Sequence, residues 1–147
     1  MELKYVSQLK QLSSAQRQEL QNLMDECGMF YGKELNEFVA PNEFKSAICM
    51  IGEQNEICGF AFIEDEESAI VLSYLYVAPA MRNKGIGSEL VKCVKNFAKQ
   101  RDAGRVELAV EKENNIARAL YEKEGFQVQR THDNKFIMTA DSKKLEK

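Results

Sequence analysis

Apolar residues recur at helical spacing in the first quarter of the chain. The recurring side chains are Leu20, Leu23, Met24 and Cys27. They follow Ser13-Ser14, and Gly28 stands where a helix-ending glycine belongs, so the pattern predicts a helix of about three to four turns. A shorter amphipathic helix is expected around Lys33 to Val39. It ends before Pro41 because the residue preceding a proline disfavours helix.

The middle of the chain changes to short runs that are rich in β-branched and aromatic residues. Polar clusters separate these runs, and one of them, Glu64 to Glu67, is expected to form a solvated hairpin tip. The pattern predicts three strands in antiparallel succession: Lys45 to Ile51, Ile57 to Ile63 and Ala69 to Val77.

Helical spacing returns after two glycines, Gly85 and Gly87, and the helix is expected to run to about Arg101. Its apolar face carries Ile86, Leu90, Val94, Phe97 and Ala98. The remaining predicted elements are a strand at Arg105 to Glu111, a helix at Asn114 to Glu124 closed by Gly125, strands at Phe126 to Arg130 and Lys135 to Ala140, and a charged tail from Asp141 to Lys147 that frays.

The predicted order is two helices, three strands, a helix, a strand, a helix and two strands. Since no repeat or linker interrupts the sequence, one domain is expected to span residues 1–147. The order predicts an α/β or α+β fold, with a mixed, mostly antiparallel central sheet flanked by helices. A chain of this length buries roughly 70% of the surface that its unfolded form exposes, which is enough for a core without disulfides or a structural metal.

Charge and cysteine content exclude several classes of protein. The chain has 20 basic and 23 acidic side chains and a net charge of -3. Its pI is near 5.4, whereas a domain devoted to nucleic acid normally has a pI above about 9. The four cysteines form no C-x-x-C pair, and the one histidine, His132, is expected in an exposed loop. No zinc site of the usual spacing is present, so we expect no bound metal.

Targeting and membrane segments are not evident in the sequence. No stretch resembles a signal peptide, and the longest apolar run, Ala69 to Ala80, is shorter than the roughly 20 residues of a membrane helix. We therefore expect a cytoplasmic protein with free thiols and with neither nucleic-acid nor membrane partners. A monomer and a homodimer are both compatible with the sequence.

The stretch from Ser73 to Leu90 carries the most chemical information. A buried strand enters a loop with two glycines, and a helix begins on them. Unpaired backbone N–H groups and the positive end of the helix dipole then point at one spot. Arg82 and Lys84 add positive charge to the same loop. These features predict a phosphate or pyrophosphate cradle, although an isolated G-x-G with two basic neighbours also fits a plain strand-to-helix turn.

Two well-known phosphate loops fit this stretch poorly. A P-loop requires a lysine and a hydroxyl residue after its last glycine, but Ser88-Glu89 follows Gly87. A dinucleotide-binding loop requires a third glycine where Leu90 stands. Too few residues follow the helix for the second half of the doubly wound sheet in which such a loop lies.

Two motifs follow each other in the second half of the chain, with a predicted strand between them. The first is Val77-x-Pro79-x-x-Arg82-x-x-Gly85-Ile-Gly87-x-x-Leu90. The second is Leu108-x-Val110-x-x-x-Asn114-x-x-Ala117-x-x-Leu120-Tyr121-x-x-x-Gly125-Phe126. The first resembles the R/Q-x-x-G-x-G/A signature of the GNAT superfamily of acyl-CoA-dependent N-acetyltransferases. The second is similar to the other half of that fold's cofactor site.

The resemblance implies acetyl-CoA as co-substrate and direct transfer of its acetyl group to a primary amine in a ternary complex. It implies that backbone groups of Leu75, Tyr76 and Val77 bind the pantetheine arm. The backbone amides implied to wrap the pyrophosphate belong to Arg82, Asn83, Lys84, Gly85, Ile86, Gly87 and Ser88. Asn114 and Ala117 would lie beside the ligand. Tyr121 would be the catalytic residue near the thiol sulfur.

Spacing supports a shared position for the last three residues, because Asn114, Ala117 and Tyr121 lie along one face of a helix. Their structural alternatives remain open at this point. Asn114 is also a favourable helix N-cap, and Tyr121 also fits an ordinary half-buried aromatic. Cys93 lies beside the apolar face of its helix, which argues against a route through an acetylated cysteine.

The general base and the acceptor are not identified by the sequence. Some family members carry a glutamate on the strand that leads into the glycine loop, but Ala69 to Val77 contains no acidic residue. The candidates are Ser73 or Tyr74 acting through a water, or a glutamate of the next strand, Glu107 or Glu111. The acceptor is an amine of a small molecule, peptide or protein.

Two further ambiguities concern the acceptor side. The aromatic residues Phe30, Tyr31 and Phe38 belong either to the core or to the acceptor pocket. A non-catalytic acyl-CoA sensor or interaction module is the alternative function.

Overall fold

The computed structural model describes residues 1–28, 30 and 32–142. The strands and α-helices in this part of the chain are β1 (Glu2–Val6), α1 (Ser14–Cys27), β2 (Lys45–Ile51), β3 (Ile57–Asp65), β4 (Ala69–Val77), α2 (Ile86–Gln100), β5 (Arg105–Glu111), α3 (Asn115–Lys123), β6 (Gln127–His132) and β7 (Lys135–Asp141). Short 3₁₀ helices lie at Leu9–Gln11, Leu35–Glu37, Pro41–Glu43 and Pro79–Met81.

The strands form one sheet in the order β1-β2-β3-β4-β5-β7-β6. Neighbouring strands are antiparallel throughout, except that β4 and β5 are parallel. Parallel neighbours need a crossover connection, and α2 supplies it. The predicted fold class, a mixed and mostly antiparallel sheet flanked by helices, is confirmed.

Most predicted elements are present, with two differences in the first third of the chain. The strand β1 was not predicted, because it has only five residues and three of them lie exposed at the sheet edge. Pairing with β2, which is distant in sequence, holds it in place. The helix predicted at Lys33 to Val39 is wrong. This segment forms a 3₁₀ turn at Leu35–Glu37, and the Leu35 N–H is bonded to the Gln21 side chain at 3.0 Å.

The first two residues of the region after Ala140 are part of the fold, although the charged composition predicts a frayed tail from Asp141 onward. Asp141 is the last residue of β7, and Ser142 is buried, with its hydroxyl donating to the Ala103 carbonyl. The rest of the predicted tail, residues 143–147, lies outside the described residues.

Alternation along the strands creates a core on each face of the sheet. On β3, Phe60 and Phe62 join the α1-side cluster, whereas Ala61 and Ile63 join the α2-side cluster. Other members of the α1-side cluster are Leu20, Met24 and Phe30. Other members of the α2-side cluster are Leu90, Val91, Val94 and Leu108. Burying each large apolar side chain stabilises the fold by roughly 1.5–3 kcal/mol.

Candidate active site

A gap opens in the sheet where the two parallel strands separate. Strands β4 and β5 pair over three positions, Ala69↔Arg105, Ile70↔Val106 and Val71↔Glu107. Beyond Val71 the strands diverge, and a cleft of about 400 Å³ lies between them. Its walls are residues 72–75 of β4, residues 109–111 of β5, and Asn114, Ala117, Tyr121 and Lys135. The backbone of β4 beside this gap is therefore free to pair with a ligand.

A β-bulge in β4 lies at the start of the gap. Ile63 of β3 pairs with Leu72 and Phe62 pairs with Tyr74, so Ser73 is the extra residue. Leu72 packs in the α2-side cluster and Tyr74 in the α1-side cluster. Bulges redirect side chains and often accompany active sites. Here the bulge turns the strand at the point where its backbone loses β5 as a partner.

The glycine loop that follows β4 leads into the N-terminus of α2. Gly85 precedes the helix with φ 80°, a left-handed conformation that favours glycine, and it caps without a side-chain hydrogen bond. The first backbone bond around the helix start runs from the Glu89 N–H to the Gly85 carbonyl at 3.0 Å. The N–H groups of the first turn of α2, before Glu89, have no intrahelical acceptor and are available to an anion.

Gly87 lies where the start of α2 packs against α3. A Cβ at this position would lie 3.3 Å from Cδ2 of Leu120, on α3. A side chain at residue 87 would therefore press on Leu120, and glycine permits the close approach of the two helices. This contact brings the free N–H groups of α2 next to the wall of the gap that α3 forms.

The two basic side chains of the loop have different surroundings. The Arg82 Nε donates to the Val77 carbonyl at 3.1 Å, and the Arg82 guanidinium lies 5.2 Å from the centre of the Tyr76 ring. Arg82 thus ties the loop back onto the end of β4. Lys84 is exposed and lines a separate surface hollow beside Glu2 and Glu89.

Three residues predicted on one face of a helix do meet at the gap. Asn114 precedes α3, and its Oδ1 accepts a hydrogen bond from the Ala117 N–H at 3.1 Å. Ala117 and Tyr121 follow on the same side of α3, and all three line the cleft. Asn114 therefore caps the helix and also faces the cleft.

Tyr121 is the buried phenol of this wall. Its side chain is 8% exposed, and its ring centre is 5.8 Å from that of Phe126. Burial raises the pKa of Tyr121 to about 12. The phenol is therefore protonated at neutral pH and can donate a hydrogen bond or a proton into the cleft.

Comparison with known families decides where the chain belongs. Residues 10–126 match the model of the family described as Acetyltransferase (GNAT) family. This chain belongs to the GNAT family. The match includes both motifs that carry the resemblance in the sequence.

The chain is also similar to individual proteins. It is 33% identical over 92 residues to the uncharacterized N-acetyltransferase YhfO of Bacillus subtilis (strain 168), a match that covers 58% of this chain and 62% of the relative. The match thus spans less than two thirds of that relative's length. The chain also resembles an aminoglycoside 6'-acetyltransferase type Ii, with 17% identity, a TM-score of 0.78 and coverage of 97% of both chains.

A third similar structure contains coenzyme A. It is the paia N-acetyltransferase of Thermoplasma acidophilum, with 20% identity, a TM-score of 0.75 and coverage of 96% of this chain and 99% of the other. At such low identities the two structural comparisons show a shared fold.

The gap of this GNAT chain fits the chemistry of acetyl-CoA. A thin pantetheine arm with amide groups matches a cleft that has unpaired strand backbone along β4. A diphosphate matches the free N–H groups at the start of α2, which lie next along the chain. Leu75, Asn114, Ala117 and Tyr121 line the cleft itself. The other predicted contacts, Tyr76, Val77 and residues 82–88, lie along the end of β4 and the loop beyond it.

Side chains of two of these predicted residues turn away from the gap. The Tyr76 hydroxyl donates to Glu26 of α1 at 3.2 Å, and burial together with this bond raises the pKa of Tyr76. The Ser88 hydroxyl donates to the carboxylate of Glu124, and the ammonium of Lys95 donates to the Glu124 carbonyl. Their predicted cofactor contacts use backbone groups, which these side-chain bonds leave free.

The main residue that the sequence interpretation missed is Glu64. It was assigned to a solvated hairpin tip, but it lies in β3, half-buried, and accepts a hydrogen bond from Ser73 at 2.9 Å. The alternation Phe60, Phe62, Glu64 was the available signal, because it places all three side chains on the α1 side of the sheet.

The remaining candidates lie outside the cleft walls. Cys93 is half-buried against the α2-side cluster, and burial, followed by the charge of Glu89, raises the pKa of its thiol. His132 is exposed and lies 3.6 Å from Asp133. Phe30 and Phe38 pack with Tyr74 in the α1-side core, and Tyr31 lies outside the described residues.

Clusters of metal ligands and membrane-spanning helices are both absent from residues 1–28, 30 and 32–142. No group of three or more histidine, cysteine, aspartate or glutamate side chains is placed to hold a metal ion there. No helix in the same ranges is long and apolar enough to cross a membrane.

Proposed function

We propose that this chain transfers the acetyl group of acetyl-CoA to a primary amine of a small molecule or peptide, directly within a ternary complex. The observation that carries the proposal is the gap between β4 and β5. One wall offers unpaired strand backbone, and the other holds the buried, protonated phenol of Tyr121. Membership of the GNAT family and the shared fold with a protein in complex with coenzyme A support this proposal.

The proposed mechanism assigns separate tasks to the two walls. Acetyl-CoA, when bound, supplies a thioester carbonyl that a neutral amine can attack. Backbone N–H groups of β4 near Tyr76 donate to the carbonyl oxygen as negative charge develops on it. Tyr121 donates its phenolic proton toward the departing sulfur. Asn114, Ala117 and the backbone of Leu75 hold the ligand arm between the walls.

Direct transfer is favoured over an acetyl-cysteine intermediate. The thiolate is the nucleophilic form of cysteine, and burial raises the pKa of Cys49, Cys58 and Cys93. These thiols are thus disfavoured as nucleophiles at neutral pH. None of them lines the cleft, and this is also true of Cys27.

We place this activity in the cytoplasm. The four cysteines are free, which is typical of proteins in a reducing compartment. The acceptor of the proposed reaction is a primary amine, and the monomer or homodimer expected from the sequence stays a prediction.

Two measurements test the proposed function. Saturating acetyl-CoA raises the melting temperature, because a ligand that binds the folded state alone stabilises it. Release of the CoA thiol is then followed with spermidine, kanamycin, lysine and a peptide with a free N-terminus. Thermal stabilisation without release by any amine indicates the sensor or interaction module instead. No stabilisation at all contradicts both.

A further inference from the structure

A carboxylate–hydroxyl pair lies at the edge of the gap on the α1 side. Ser73 Oγ donates to Glu64 Oε2 at 2.9 Å. Both residues are half-buried, and Ser73 lines the cleft. The bulge in β4 makes this bond possible, since it leaves Ser73 without a partner in the register with β3.

The pair and Tyr121 lie on opposite faces of the sheet. Glu64 continues the face of Phe60 and Phe62, which pack in the α1-side cluster, whereas Tyr121 belongs to the α2-side cluster. A thioester held in the gap between them would have its sulfur toward Tyr121. Its carbonyl carbon would then be open from the side of Ser73.

We propose that Ser73 touches the acceptor amine and that Glu64, acting through Ser73, receives the proton that the amine must lose. Strand β4 contains no acidic residue, and the neighbouring strand β3 supplies the carboxylate in its place. Ser73 is then a catalytic residue and Glu64 a positioning and proton-storing residue. This inference rests on the proposed acetyl transfer.

The amine loses two protons along this route. The ammonium form of the acceptor gives one proton to Ser73 Oγ, and Ser73 passes its own proton to the Glu64 carboxylate. The lone pair left on nitrogen forms the C–N bond, and the C–S bond breaks. The second nitrogen proton ends on the thiol sulfur by way of Tyr121. Glu64 releases its proton to water before the next turnover.

Charged groups face Glu64 from the strands on both sides of it. Lys45 of β2 is directly opposite Glu64 in the register, and the Lys45 ammonium lies 3.8 Å from Glu43. Glu107 of β5 lies on the same face across Val71, and its carboxylate is 3.9 Å from Arg105. The face that a positively charged acceptor would enter thus carries the carboxylates of Glu64 and Glu107 beside the basic side chains of Lys45 and Arg105.

The other carboxylates near the gap are less suited to this task. Glu111 is exposed, and the partner of Glu107 is Arg105 of its own strand. Among the described residues, Glu64 is the carboxylate that is hydrogen-bonded to a cleft-lining hydroxyl.

The test compares Glu64→Gln with the wild type across pH 6.5 to 9.5, using the amine of the panel that the wild type turns over fastest. Glutamine keeps an oxygen for the Ser73 bond but accepts no proton. We expect kcat/KM to fall about 100-fold at pH 7, a typical contribution of general acid–base catalysis. This fall in kcat/KM relative to the wild type should become smaller toward pH 9.5, because the variant depends on amine that is already neutral. The neutral fraction of the amine rises about tenfold per pH unit below an amine pKa of about 10.4.

Three further variants sharpen the result. Ser73→Ala is expected to show the same deficit, and Glu64→Gln with Ser73→Ala together no greater one, because the two residues act as a unit. Glu66→Gln, an exposed carboxylate of the same hairpin, leaves kcat/KM and its pH profile unchanged. All of these variants keep the thermal stabilisation by acetyl-CoA.

The outcomes distinguish failure of the proposed role of Ser73 and Glu64 from failure of the proposed function. A fall in kcat/KM that is equal at every pH shows a structural role and contradicts the proposed proton transfer. Full activity of Glu64→Gln contradicts it as well. If the wild type binds acetyl-CoA but releases CoA with no amine, the proposed function and the pair fail together.

Discussion

The two faces of the sheet around the gap are built from different kinds of interaction. On the α2 side, the features that fit acetyl-CoA are backbone groups: the free edge of β4, the left-handed Gly85 and the start of α2. On the α1 side, the features behind the gap are packed side chains that are distant in sequence, such as Phe30, Tyr74 and Glu64.

This difference explains why the features of one face can be predicted from the sequence and those of the other cannot. Backbone geometry is encoded locally, since a glycine or an asparagine cap acts within a few residues. Contacts between side chains that are distant in sequence depend on which strands become neighbours and in which register. If the two faces also behave independently, a substitution on one face should leave the task of the other unchanged.

The largest expected effect is on the α1 side. Phe30 is 1% exposed, and its ring centre lies 4.5 Å from that of Tyr74 and 5.0 Å from that of Phe38. We expect Phe30→Ala to lower the free energy of unfolding by about 3–5 kcal/mol, measured by urea denaturation. The folded fraction should still bind acetyl-CoA with wild-type affinity, because the ring belongs to the other cluster. A matching loss of acetyl-CoA affinity would show that the faces are coupled.

The next effect is on the α2 side and concerns chemistry. We expect Tyr121→Phe to reduce kcat about 100-fold or more, since it removes the proton donor and little volume. The melting-temperature increase with acetyl-CoA should stay near that of the wild type. The matched control is Tyr74→Phe, which removes a hydroxyl from the opposite wall of the cleft. Equal kcat for Tyr121→Phe and the wild type would remove Tyr121 from the mechanism.

The same contrast accounts for what the sequence could predict. The bounds of β2, β4 and β5 agree with the structure, and Gly85 and Asn114 stand where their local geometry requires them. These features depend on neighbours in sequence, on spacing and on the two motifs.

The errors share a dependence on distant contacts. Strand β1 exists because β2 pairs with it, and the segment after α1 forms a packed loop in which Gln21 binds the Leu35 N–H. Glu64 is drawn to Ser73 by a one-residue bulge, which the sequence of either strand alone does not specify.

Alkaline pH provides a smaller test on both faces. Burial raises the pKa of Tyr121 on the α2 side to about 12 and that of Cys49 on the α1 side to about 12. In the unfolded chain the pKa is about 10 for tyrosine and about 8.5 for cysteine. The contribution of each group to stability is fully present below this unfolded pKa, and it is lost as the pH rises through the folded pKa.

Stability should therefore begin to fall near pH 9 because of Cys49, together with Cys58 and Cys93, and more steeply above pH 10 because of Tyr121. Each group contributes a slope of up to about 1.4 kcal/mol per pH unit. We expect Cys49→Ala to flatten the earlier part of the urea-denaturation profile and Tyr121→Phe the later part. A profile that neither substitution changes would show that both groups titrate normally in the folded protein.

The smallest effect compares two helix caps, one from each side. Ser13 accepts the Gln16 N–H at 3.0 Å before α1, and Asn114 accepts the Ala117 N–H at 3.1 Å before α3. Replacing either by alanine should cost about 1 kcal/mol of stability, because one N–H of the first turn loses its acceptor. Asn114 also lines the cleft, so Asn114→Ala should in addition reduce the thermal stabilisation by acetyl-CoA, whereas Ser13→Ala should leave it unchanged. If both variants bind acetyl-CoA like the wild type, Asn114 acts as a cap alone, and the contacts of that wall reduce to Ala117 and Tyr121.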